Sequence, residues 1–137
     1  QNLFSKLMSI TQKEELYKLF SFSIQEFWKT HFTFESVSKK SQKKVSKSYV
    51  DLILINTIIP LKFVYSQSRG EVIEESIIQL IQQVSSEKNS IISKFSELTV
   101  KSKNALESQA LIELKNNYCT KKRCLQCAIG SSLLKKK

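Results

Sequence analysis

"SYVDLILINTIIPLKFVYSQSRG", residues 48–70, decides the fold. Its apolar positions, from Val50 and Leu52 through Ile58 and Ile59 to Phe63 and Val64, fall nearly all round any regular element. Periodicity alone therefore fits a buried strand or a buried helix equally well. Length and punctuation favour the helix, because the chain has only two glycines and one proline in 137 residues, and hairpins and tight turns use many more. Pro60 lacks an N–H and disfavours the α conformation at Ile59. A kink or break is expected there, with Asn56 facing it and a second helix from Pro60 to about Gln67. Arg69-Gly70 reads as a stop. Asp51, Asn56, Pro60 and Lys62 interrupt the run, which falls short of the roughly 20 uninterrupted apolar residues of a membrane span. It is read as core.

Helical spacing continues on both sides. Upstream, Thr11 and Glu14 form a capping-box pattern before Leu16, Leu19 and Phe20, and Ser23 could cap a short helix carrying Ile24, Phe27, Trp28 and His31. Downstream, 71–84 is the clearest amphipathic helix, with Ile73, Ile77, Leu80, Ile81 and Val84 on one stripe and early glutamates at its positive end. Ser85 or Ser86 would start the next helix and Ser102 another, carrying Ala105, Leu106, Ala110, Leu111 and Leu114. Short connections make these antiparallel neighbours. The expected architecture is all-α, a compact bundle of about six or seven short helices in a single domain over 1–137. A chain of this size buries about 70% of the surface its unfolded form exposes, enough for a core without staples.

The formal charge of +10 is unevenly placed. Residues 38–48, "SKKSQKKVSKS", hold five lysines and no acid, and 115–137 hold seven basic residues and no acid. Surplus of this kind suits phosphate backbones or anionic surfaces, and a solvated lysine loop with a frayed tail is the plain alternative. Candidate phosphate contacts are Lys39, Lys40, Lys43, Lys44, Lys47, Lys121, Lys122 and Arg123. Residues 38–48 hold no aromatic residue and 115–137 only Tyr118, which argues against single-strand readout by base stacking.

All three cysteines, Cys119, Cys124 and Cys127, fall within the segment 116–130, "NNYCTKKRCLQCAIG". Three thiolates are a partial ligand set for zinc or an iron–sulfur cluster, and His31, the only histidine, is the sole nitrogen candidate for a fourth position. Inert buried thiols are the competing reading, and the cations between the cysteines also suit thiol redox chemistry. His31 itself, three residues after Trp28, reads as a satisfied side chain beside aromatics. No phosphate-binding glycine loop, dinucleotide fingerprint or zinc-protease motif occurs, so no catalysis is expected of this chain alone and no cofactor is favoured over none. An odd, clustered cysteine count without a signal-peptide pattern fits a cytoplasmic location. The first residue is not Met, which suggests a piece of something longer.

Several stretches together, "FWKTHFTFE" (27–35), "INTIIPLKFVYSQSRGE" (55–71), "SSEKNSII" (85–92), "ALESQALIELKNNYC" (105–119) and "KKRCLQCAIG" (121–130), resemble the C-terminal part of a mainly Bacteroidetes family, domain of unknown function 2851. The resemblance spans about Ser23 to Leu134, with the cysteine motif as its most distinctive piece. It implies a longer parent whose upstream half is faintly similar to metal-dependent nucleases. That would make this chain an accessory or scaffold module, partnered by the missing N-terminal half and assisting nucleic-acid binding; the interrupted apolar run adds the expectation of no membrane association.

Overall fold

Ser46 begins the central helix by accepting a hydrogen bond from the Tyr49 amide at 3.2 Å, the side-chain cap its position in the sequence suggests. In the computed structural model, which describes residues 2–135, the chain is all-α, as expected. Nine α-helices are present among the described residues: α1 Leu3–Ser9, α2 Lys13–Leu19, α3 Glu26–Thr30, α4 Lys47–Ile53, α5 Ile59–Ser68, α6 Glu74–Gln82, α7 Ser90–Glu97, α8 Ala105–Glu113 and α9 Ala128–Leu134. The surplus over six or seven includes α1, which lacks a long apolar period. Where length alone suggests a single domain, the chain falls into two compact units, Gln1–Leu80 and Ile81–Lys137.

The first unit is organised by α4 and α5. No break occurs at Pro60. A π-helical turn, Leu54–Ile58, joins the two helices, and the Ile59 amide reaches back to the Leu54 carbonyl. Widening the helix by one residue just before proline accommodates a ring that would otherwise press on the carbonyl four residues earlier. Asn56 stands in this turn and donates from Nδ2 to the Leu52 carbonyl at 3.0 Å. The rod from Lys47 to Ser68 is 22 residues with mean hydropathy 1.3, long and apolar enough to cross a membrane by length and composition alone. Its two ionisable side chains inside the apolar run are both tied to neighbouring helices. Asp51 accepts from the Tyr17 hydroxyl of α2 at 2.6 Å; burial first, and then this carboxylate, hold the phenol above its usual range. Lys62, 5% exposed, donates to the carbonyls of Leu7 (3.2 Å), Met8 (2.5 Å) and Ile10 (2.9 Å). Those carbonyls close α1, so the ammonium acts as a C-cap delivered from another helix. Burial pulls its pKa below the ordinary amine range, partly opposed by Glu15. Leu16, Val50, Leu54, Ile55, Ile58, Ile77 and Leu80 form the apolar core of this unit.

The start signals read from Thr11, Ser23 and Ser102 lie elsewhere. α2 and α3 are preceded by Gln12 and Gln25 without side-chain caps. Asn89 and Asn104 cap α7 and α8 through Oδ1, accepting from Ile92 and Glu107 at 3.0 Å each. In the second unit, Ser102 instead meets Ser86, Oγ to Oγ at 2.5 Å. Glu87 does not open a helix. Its carboxylate accepts from Gln109 Nε2 at 2.9 Å and Asn89 Nδ2 at 3.2 Å, while its amide donates to Ser108 Oγ at 3.2 Å. Ser108 is fully buried and passes its own proton to the Ala105 carbonyl. This network ties 86–89 to α8, the cross-helix bonding that polar residues beside an apolar face suggest.

One terminating motif is used three times. After α5, Glu71 and Gly70 amides donate to Ser66 and Gln67 carbonyls; after α7, Val100 and Thr99 donate to Phe95 and Ser96; before the second cysteine, Arg123 and Lys122 donate to Tyr118 and Cys119. Each is a Schellman closure, and the residue at its left-handed position is Gly70 (φ 67°), Thr99 (φ 66°) or Lys122 (φ 53°). Only the first is glycine.

Two consequences are measurable by denaturant unfolding. Lys62→Met removes three charge-assisted bonds and strands the end of α1, and should lower stability by about 3 kcal/mol, whereas a loss under about 1 would show the carbonyls rehydrate freely. Thr99→Gly relieves a β-branched residue in the left-handed region and should raise stability by roughly 0.5–1 kcal/mol. Unchanged stability would place the strain elsewhere.

Candidate functional site

The lysine-rich segment is folded, not loose. After α3 the chain reverses at 32–36, and His31 pairs with Val37 as an isolated antiparallel bridge. Ser38 donates its amide and its hydroxyl to the Thr30 carbonyl (2.6 and 3.0 Å), and the Ser41 amide donates to Lys29 O at 2.9 Å. Lys43 Nζ donates to the His31 carbonyl and lies 3.4 Å from the centre of the Phe32 ring. Lys40 pairs with Glu26 at 2.9 Å, and Lys29 shares that carboxylate at 2.5 Å. Lys47 stands over the Tyr17 ring at 5.4 Å. Lys39 and Lys44 are exposed, with no hydrogen bond or ion pair among the described residues.

This reversal brings together what the sequence keeps apart. Phe27, Trp28, His31 and Phe34 form a connected set: Phe27 stacks on His31 (4.0 Å, 6°), and Trp28 meets Phe27 at 5.0 Å and Phe34 at 5.1 Å, both edge-on. The absence of aromatic residues from 38–48 is thus no absence from the surface that carries those lysines. Phe32 and Phe34, which precede the segment, are 71% and 79% exposed. The alternation "HFTFE" was the available signal, and only the turn at 32–36 gives it meaning.

His31 is satisfied locally, with Nδ1 3.0 Å from both Thr30 Oγ1 and the Phe27 carbonyl. The ring it faces is Phe27, four residues back, rather than Trp28. Cys119 and Cys124 are exposed free thiols and Cys127 is a buried one. Cys119 ends a second π-helical turn, Leu114–Cys119, and Cys124 opens a 3₁₀ turn through Gln126. A Cβ on Gly130 would stand 2.3 Å from the Cys124 carbonyl oxygen, so glycine allows α9 to lie against that turn. Among the described residues no three His, Cys, Asp or Glu side chains gather in a way that could hold a metal ion. Lys121 donates to Asn117 Oδ1 at 2.5 Å, while Lys122 and Arg123 are exposed.

The first unit also has a cleft of about 440 Å³ lined by Phe4, Ser9, Lys62, Tyr65, Arg69 and Ser76, among others. Its cations are occupied: Lys62 by the end of α1, and Arg69 by Glu71 at 2.6 Å and the Tyr65 hydroxyl at 3.4 Å.

Fold and surface thus define an all-α protein that exposes a pinned loop of lysines and phenylalanines. A family model described as a protein of unknown function, DUF2851, matches residues 1–90, and the chain belongs to that family. The match contains the lysine loop and ends before the cysteines. No curated protein and no solved structure matches the chain.

Paired with two ammonium groups, the Glu26 carboxyl is held at about 2, against an ordinary 4.5, chiefly by hydrogen bonds from Lys29 and Lys40. A depressed folded value means that the loop's tether is fully present above the ordinary carboxylate range and is lost as pH falls towards 2. A carbon-detected NMR titration should find the Glu26 midpoint near 2, with the Ser38–Ser41 amides moving alongside it. An ordinary midpoint would show that the pairs are not held in solution.

Proposed function

We propose that this chain is a noncatalytic helical accessory module, the C-terminal part of a larger cytoplasmic protein, in which the loop 38–48 contacts the phosphates of nucleic acid. The observation that carries the reading is the fixed loop backbone. It holds Lys39 and Lys44 outward and unpaired while Lys40 and Lys43 are spent on docking the loop itself. A solubility feature gains nothing from anchoring through four residues, Ser38, Lys40, Ser41 and Lys43. A phosphate-binding surface does, since ordering the loop beforehand lowers the entropy lost on binding. Lys121, Lys122 and Arg123 add cations in the second unit, where Lys122 and Arg123 are exposed.

The parent's upstream half and its Bacteroidetes origin belong to the same proposal and rest on the sequence resemblance. The absence of a membrane role belongs to the proposal too; it rests on the interruptions of the apolar run and is supported by the engagement of Asp51 and Lys62 within the first unit.

Fluorescence anisotropy with labelled DNA and RNA, titrated from about 50 to 200 mM salt, tests the reading. Each phosphate neutralised contributes roughly 0.7–0.9 to the slope of log K against log salt, so Lys39→Gln/Lys44→Gln should flatten it by about 1.5. A slope untouched by the double substitution, or no binding at low salt, removes the loop from the interface.

A further inference from the structure

We infer that the nucleic acid taken by this surface is single-stranded, with Phe32 and Phe34 as stacking platforms for its bases. The inference rests on the phosphate-contact reading above and adds the ligand's form. Phe32 and Phe34 lie two residues apart and are 71% and 79% exposed, which is not the placement of core side chains. Each is nonetheless held from one side. Lys43 lies over the Phe32 ring, and Phe34 leans on Trp28 and Phe27, which is itself stacked on His31. The loop that returns past them brings Lys39, Lys40, Lys43 and Lys44, and its nearest acid, Glu26, is neutralised by Lys29 and Lys40. Glu35 is the one other acid in 27–48.

Exposed phenyl rings beside ordered ammonium groups match a strand that offers base faces and phosphates together. A duplex hides those faces in its own stack, and only unpaired bases can lie on an aromatic ring. Every base has such a face, so the preference should be for strandedness rather than sequence. Docking of Lys43 uses one side of Phe32 and leaves most of both rings in solvent. A core role would have buried them.

The test uses the whole 137-residue chain with oligothymidylate and a duplex of equal length, read by anisotropy and by the fluorescence of Trp28, the only tryptophan. Tighter binding of the single strand, with Trp28 emission quenched, is expected. Phe32→Ala/Phe34→Ala should weaken it by about tenfold or more while leaving the salt slope intact, and Phe32→Tyr/Phe34→Tyr should retain affinity. Circular dichroism of both variants separates lost stacking from lost folding, and the Tyr pair decides should the Ala pair unfold. Equal affinity for both forms with silent phenylalanine variants would overturn the stacking inference and leave the lysine reading standing. No binding to either form at low salt would overturn both. Binding confined to phosphatidylglycerol vesicles would assign the rings to a bilayer surface and likewise overturn it.

Discussion

The first unit depends on one buried cation. Lys62 lies within the most apolar stretch of the chain, where an unpaired ammonium would cost several kcal/mol. It is tolerated because three carbonyls at the end of α1 receive its three protons. The dependence runs both ways. A seven-residue helix is far too short to persist alone in water, and α1 has no buried side chain to hold it down. Its orphan carbonyls are satisfied by the same ammonium whose hydrogen bonds they accept. A hydrophobic residue at 62 would suit the rod but leave α1 held mainly by the edge-on contact of Phe4 with Tyr65.

Pro60 sets the register for this arrangement. It stands two residues before Lys62, and a regular α turn would press its ring on the Asn56 carbonyl. The π turn at Leu54–Ile58 removes the conflict without ending the helix. The extra residue also rotates α5 relative to α4. Asp51 lies before the wide turn and meets α2, while Lys62 lies after it and meets α1. One rod therefore serves two neighbours with two charges, and the β-branched residues around the turn, Ile55, Ile58 and Ile59, remain buried.

Fold class was legible because the scarcity of glycine and proline and the three-to-four spacing of apolar residues both point to helices. The stripe of α6 was legible for the same reason: Ile77, Leu80, Ile81 and Val84 are all buried. Start positions were less so. Several polar residues precede each helix, and any could cap it; Asn89 and Asn104 won over Ser85, Ser86 and Ser102, and the losing serines Ser86 and Ser102 bonded each other. Lys62 was visible only as an interruption, since its partners are more than fifty residues away. The candidate surface was half legible. Charge counting found the lysines, but counting within a window cannot register that a turn at 32–36 lays the neighbouring phenylalanines beside them.

Two features compete for attention in this sequence, and they differ in how far the structure accounts for them. The cysteine segment has local reasons for its residues. Lys122 closes a turn, Gly130 leaves room for the Cys124 carbonyl, and Cys127 is buried. In the lysine loop, Phe32 and Phe34 each have one supported side, against Lys43 and against Trp28 and Phe27, while most of each ring stays in solvent. Scattered exposed apolar residues need no explanation, but two rings each supported on one side beside a docked lysine segment invite one. The family match encloses this loop and stops short of the cysteines. The family membership therefore rests on the part of the chain that carries the lysine loop.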